Sequence, residues 1–128
     1  MKKVMEAYLQ CLERGDYDSL MDIFTLDAMV ESPLYGPRPA AEFYRELFAD
    51  TSQSRITPLD FFTNPGQRTG AVNFRYKWTL ANGQEVAFDC VDVFSFTPDE
   101  KVRHMKIIYD TRRTRTQWEQ QRQPRSRH

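Results

Sequence analysis

The chain lacks a long hydrophobic run, a close pair of cysteines and an excess of either charge, and each lack removes a class of protein. Nowhere do eighteen apolar residues follow one another, so no membrane-crossing helix is expected. The opening residues Met1-Lys2-Lys3-Val4-Met5-Glu6 reach a charge before an apolar stretch can form. That does not fit a signal peptide, and a cytoplasmic protein is expected. Cys11 and Cys90 are the only cysteines and stand far apart, without metal-ligand or redox spacing, so both are expected as buried free thiols. The five glycines form no phosphate-cradling loop and the two histidines no ligand pair, so neither a nucleotide nor a metal cofactor is expected. Eighteen Lys and Arg balance eighteen Asp and Glu, which argues against a domain built to bind nucleic acid. The balance is global and not local, since the last eighteen residues carry about +5 and the remainder about −5 by formal count. From Thr111 to His128 six Arg face a single Glu, so residues 112–128 are expected to be an Arg-rich, solvated and mobile tail without a nucleic-acid motif.

What remains is an ordinary globular composition. At 128 residues the chain fits one domain around one core, and residues 1–111 are assigned to it. Nine Phe and six Tyr are more aromatics than a core of this size strictly needs. They either fill the core or line a pocket.

The most informative stretch runs from Glu85 to Thr97. Strand side chains alternate, so Phe88, Cys90, Asp92, Phe94 and Phe96 share one face while Ala87, Asp89, Val91, Val93 and Ser95 share the other. Asp92 therefore stands in an apolar row. A carboxyl group there must find hydrogen bonds or keep its proton, because burying an unpaired charge is costly. Two readings are open: a perturbed acid in a pocket, or an exposed or Arg-paired aspartate on an edge strand.

In chain order, Val4, Met5, Tyr8, Leu9, Cys11 and Leu12 fall at helical spacing, and Gly15 ends that helix. Asp16 and Asp18 suit the start of a short second helix near Tyr17. Ala28 to Ser32 is a strand candidate, closed by Pro33, Gly36, Pro37 and Pro39. Pro39 opens a third helix with Ala40, Phe43, Tyr44, Leu47 and Phe48 as its apolar stripe. Period-two patterns then predict strands near 55–62, 71–80, 85–96 and 101–110, with Asn82-Gly83 the strongest hairpin signal. Three helices followed by a meander imply an α+β domain with its helices on one face of a curved sheet.

The segments Tyr8…Gly15-Asp16…Phe24…Asp27-Ala28-Met29-Val30-Glu31-Ser32-Pro33, then Gly36…Ala41-Glu42-Phe43-Tyr44, then Ala87-Phe88-Asp89-Cys90-Val91-Asp92-Val93 resemble the ketosteroid isomerase branch of the nuclear-transport-factor-like superfamily, which includes SnoaL-like polyketide cyclases. The resemblance spans residues 4–110. It implies a cone, a strongly curved, mixed, mostly antiparallel sheet wrapped around three N-terminal helices, with a deep apolar pocket and a homodimer across the outer sheet face. The implied pocket takes Phe24, Phe43 and Tyr44 from the helical half, then Val72, Phe74, Tyr76 and Trp78. Phe88, Cys90 and Phe94 follow from the next strand, and Met105, Ile107 and Tyr109 from the last.

In ketosteroid isomerases an aspartate base moves a proton while a tyrosine and a protonated aspartate stabilise the enolate oxygen. The resemblance places Tyr8 at the tyrosine and Asp92 at the protonated aspartate. Ser32 stands where the base would be, and a serine without a partner has no useful proton affinity at neutral pH. Glu31 points to the other side of a regular strand and reaches the site only through a bulge. Asp60 lies on a strand whose two faces are equally apolar, and His104 is expected opposite Met105, Ile107 and Tyr109. A third possibility makes Asp92 itself the acid and base, as a lone aspartate acts in the resembling cyclases, with Phe88, Phe94 and Trp78 raising its proton affinity. The expected function is enolisation of a flat apolar ketone by an isomerase or cyclase. Against it stand a binding module that lost its base and a protein-interaction domain.

Overall fold

The structure is a computed structural model that describes residues 1–112 and 114–122. Helix α1 (Lys2–Arg14) buries Met5, Tyr8, Leu9, Cys11 and Leu12, the one-sided stripe that its sequence spacing requires. Gly15 ends it with φ 67°, a left-handed conformation that a side chain disfavours, and the following Asp16 N–H bonds the Cys11 carbonyl at 3.0 Å. Asp16 then caps α2 (Tyr17–Met21) by accepting from the Ser19 N–H. Pro39 stands just before α3 (Ala40–Ala49), which buries Ala40, Phe43, Tyr44 and Leu47.

Among the described residues six strands form one sheet: β1 (Phe24–Ser32), β2 (Gly36–Pro39), β3 (Thr51–Asn64), β4 (Thr69–Leu80), β5 (Glu85–Phe96) and β6 (Val102–Ile108). Their order is β2-β1-β6-β5-β4-β3, and only the β1–β6 pair is parallel. The sheet is the mixed, mostly antiparallel one expected. Val72, Phe74, Tyr76, Trp78 and Leu80 of β4 and Cys90, Asp92, Phe94 and Phe96 of β5 are all buried on the inner face, against which α1 packs at β3 and β4. Burying an aromatic such as Trp78 or Phe94 stabilises the fold by about 2–3 kcal/mol each. Trp78 also satisfies its indole N–H on Thr51 Oγ1 at 2.8 Å.

One end of the cone is filled solid. A Cβ on Gly70 would come within 2.9 Å of the Met5 methyl group and 3.3 Å of the Phe62 carbonyl, so α1 reaches the sheet there only because position 70 has no side chain. Phe94, Phe96 and Val102 close the same end. The free space therefore lies toward the other end of the same strands.

Three features depart from the sequence expectations. The Gly36–Pro39 segment is a short edge strand paired with β1, not merely a turn. Val102 is fully buried although alternation put it with His104, because the β5–β6 pairing shifts register between Ser95 and Phe96. Within the expected mobile tail, Thr114–Arg122 forms helix α4. Its Trp118 ring packs edge-on against Tyr35 at 5.3 Å, and Arg115 donates to the Pro33 carbonyl at 2.6 Å. The rest of that tail, residues 113 and 123–128, lies outside the described residues.

Candidate active site

The cavity opens where the strands run past the filled end. Its walls are Phe74, Tyr76 and Trp78 of β4, Phe88, Cys90 and Asp92 of β5, Ile107 of β6 and Tyr109 just beyond it. The helical side contributes Tyr8 and Leu12 of α1, Phe43 and Leu47 of α3, and Ser32 and Tyr35. Asp92 is the residue of β5 nearest the filled end that still meets the cavity, and Tyr8 holds the same place on α1. The two therefore mark its inner end.

Phe24, Tyr44, Val72, Phe94 and Met105, expected in the pocket wall, are instead buried core residues that do not line the cavity. They lie nearer the solid end or behind the first wall. Phe94 stacks edge-on against the Tyr8 ring at 5.2 Å, and Tyr44 bonds the Tyr8 hydroxyl at 2.7 Å. Leu12 and Leu47 belong to the wall but are each one apolar residue among several on their helix, and Tyr35 joins the wall from the turn between β1 and β2, so none carried a distinguishing signal in sequence.

Asp92 is 1% exposed. Burial pushes its carboxyl up to about 7, against a smaller downward pull from the Cys90 thiol and then from Tyr8. Cys90 donates to Asp92 Oδ1 at 3.2 Å, the side chains being two residues apart on one strand face. The open choice between a perturbed acid and an exposed edge aspartate falls to the first, because β5 is an interior strand and no cation lines the cavity among the described residues. Tyr8 is held well above the usual phenol range by burial, then by Tyr44 and the Asp92 charge. It therefore stays a proton donor. The Tyr44 hydroxyl also lies 3.6 Å from the Met105 sulfur.

The substitute bases fall outside this group. Asp60 is exposed on edge strand β3, just past the register shift between Pro58 and Asp60, and does not line the cavity. Glu31 points to the outer sheet face, where it meets His104 Nε2 at 2.7 Å. Ser32 does line the cavity, but its Oγ accepts the Tyr35 N–H at 3.0 Å and so shapes the turn after β1. Its hydroxyl hydrogen is left to donate. Among the described residues, no three His, Cys, Asp or Glu side chains converge to hold a metal ion.

The cavity is small, about 40 Å³. An apolar cavity that takes up one benzene ring measures about 150 Å³, so a ring-sized ligand needs the walls to move. An outer groove of about 320 Å³ shares Ser32, Ile107 and Tyr109 with the cavity, and these three residues separate inside from outside. Tyr109 stacks on Phe88 at 4.2 Å. Beside them α4 is tied to Asp50, which accepts from the Tyr35 hydroxyl at 2.5 Å, the Trp118 indole at 3.3 Å and Arg122 at 3.0 Å.

Comparison with known proteins agrees with this architecture. SalBIII, an epoxide hydrolase/cyclase-like enzyme with a role in pyran ring formation in the polyether salinomycin, is 25% identical. The match covers 85% of this chain and 89% of that one, with a TM-score of 0.75. TerC, crystallised with polyporic acid, is 18% identical over 91% of this chain and 96% of its own, with a TM-score of 0.76. An NTF2-like protein of unknown function from Burkholderia pseudomallei is 16% identical over 86% and 90%, with a TM-score of 0.74. The last two share the fold alone. Residues 5–105 match the SnoaL-like domain, and the chain belongs to that family.

Proposed function

We propose that the chain is an enzyme of the cyclase or isomerase kind that enolises a ketone in a small apolar molecule, with Asp92 as the group that takes and returns the proton. The observation that carries this reading is a carboxyl group at the inner end of an apolar cavity, raised to about 7 by burial. A proton acceptor poised near neutral pH combines a useful ionised fraction with useful basicity. Tyr8, protonated throughout that range, donates to the carbonyl oxygen as it gains charge, and Tyr44 fixes the Tyr8 hydroxyl from behind. Removing a proton from the carbon beside the carbonyl forms the enolate, and the new Asp92 carboxylic acid returns it at a second carbon. In a cyclase the enolate carbon attacks a second carbonyl instead. The role of SalBIII in pyran ring formation supports ring closure on this fold in general, although a pyran closes through a C–O rather than a C–C bond.

Ser32 favours a second reading, a small-molecule binder that kept the cavity and gave up the chemistry. Conjugated enone formation from an unconjugated ketosteroid separates the two, run on the wild type, Ser32→Asp and Asp92→Asn. The enzyme reading expects slow wild-type turnover that Asp92→Asn abolishes and that Ser32→Asp raises, by at most about 10²–10⁴-fold. Phenol binding without turnover in any of the three favours the binder.

The same reading includes a homodimer through the outer sheet face. Val91 and Val93 are half-buried there, and Met29 and Ile108 are 37% and 46% exposed. Polar cross-strand pairs Arg75–Asp89 and Lys77–Glu85 occupy the other end of that face. Sedimentation that stays monomeric at all concentrations would overturn the dimer.

A further inference from the structure

We propose that Cys90 is a positioning residue for Asp92, its thiol holding Oδ1 so that Oδ2 is the oxygen presented to the ligand. The proposal rests on the reading of Asp92 as the acid and base. Both side chains are at least 98% buried, both face the cavity from one strand, and the sulfur lies 3.2 Å from Oδ1. The thiol holds Oδ1, while Tyr8 also bonds the carboxyl and pulls its proton affinity down, by less than the thiol does. The direction of the bond is fixed by proton affinity. Burial, then the Asp92 charge, hold the Cys90 thiol far above its ordinary range, opposed only by the Ile108 backbone N–H. The sulfur is therefore a donor at every pH at which the protein is folded.

A donor to the charged form favours that form. Cys90 thus moderates the effect of burial and keeps Asp92 close to neutrality rather than above it. Tyr8 acts in the same direction to a smaller extent. The groups facing Asp92 from the packed elements are Tyr8 of α1, Tyr44 of α3, Tyr76 of β4 and Tyr109 beyond β6, and all four phenols are shifted upward, chiefly by burial. Among the described residues no Lys, Arg or His stands in the cavity walls.

The test is the titration midpoint of the Asp92 carboxyl carbon by NMR in the full chain, compared among the wild type, Cys90→Ala, Cys90→Val and Cys90→Ser. A thiol is a weak donor, so losing it should raise the midpoint by roughly half to one pH unit in the Ala and Val variants. Serine keeps a donor and should hold the midpoint at or below the wild-type value. Two donor-free variants guard against one failing to fold, and the Ser variant guards against both. A midpoint that is unchanged or lower in Ala and Val, or a Ser variant that rises with them, overturns the proposal. The comparison is independent of turnover: a wild-type midpoint at the ordinary aspartate value overturns the acid–base reading, whereas the difference among variants reports only on the thiol.

Discussion

Asp92→Asn should make the protein more stable at pH 8 and leave it nearly unchanged at pH 4. The carboxyl goes from 3.8 in the unfolded chain to about 7 in the folded one. Below pH 3.8 both states hold the proton, and the group has its most favourable effect on folding. Between 3.8 and 7 the unfolded chain ionises while the folded one keeps its proton, so the unfolded state binds fewer protons and stability falls as pH rises. Above 7 the folded protein carries a buried charge and the loss is complete. At 1.36 kcal/mol per unit, just over three units give a loss of about 4 kcal/mol. Asparagine cannot ionise and still accepts from Cys90. Its advantage over the wild type should therefore grow from about zero at pH 4 to at most about 4 kcal/mol at pH 8, a Tm difference of at most roughly 15 °C in a domain of this size. The assay is thermal unfolding of both proteins between pH 4 and 9, taken as a difference so that the other carboxylates cancel. Parallel curves, or a wild type that gains on the variant as pH rises, would refute the reasoning.

Trp118→Ala should lower stability by about 1–3 kcal/mol, because it removes the stack on Tyr35 and the indole bonds to Tyr35 and Asp50; urea unfolding measures it, and no change would mean that α4 does not dock. The same variant should speed ligand entry past Tyr35 and Tyr109, seen as a faster association rate for an apolar fluorescent probe. Tyr44→Phe should leave the fold intact but weaken phenol binding about 5–10-fold, since Tyr8 loses the 2.7 Å partner that orients its hydroxyl; isothermal titration checks it.

Much of the fold was legible because it rests on periodicity. The alternation from Phe88 to Phe96 placed Asp92 inside, and the structure buries each of Cys90, Asp92, Phe94 and Phe96. The spacing from Met5 to Leu12 likewise gave the inner face of α1. What stayed hidden has other causes. Pro37 and Pro39 argue against a strand, but β2 is an edge strand, where a missing N–H costs no ladder bond to a second neighbour. Helix α4 has a single large apolar anchor and is otherwise held by polar contacts to Asp50 and Pro33, which no hydrophobic pattern records. The site was legible in part. Tyr8 and Asp92 follow from the family resemblance, whereas Tyr35 enters the wall through the turn that Ser32 shapes, a tertiary effect. Alternation could tell inside from outside, but not which inner residues meet open space, because that depends on how far α1 fills the cone.

The carboxyl carbon of Asp92, followed by NMR from pH 3 to 9 in the free wild-type protein and again with a bound phenol, tests the central claim most directly. The buried-acid account predicts a free midpoint close to 7 and a phenol-bound form in which Asp92 keeps its proton to higher pH, because the acid donates to the ligand oxygen. A free midpoint near 3.8, with no response to the phenol, would contradict it.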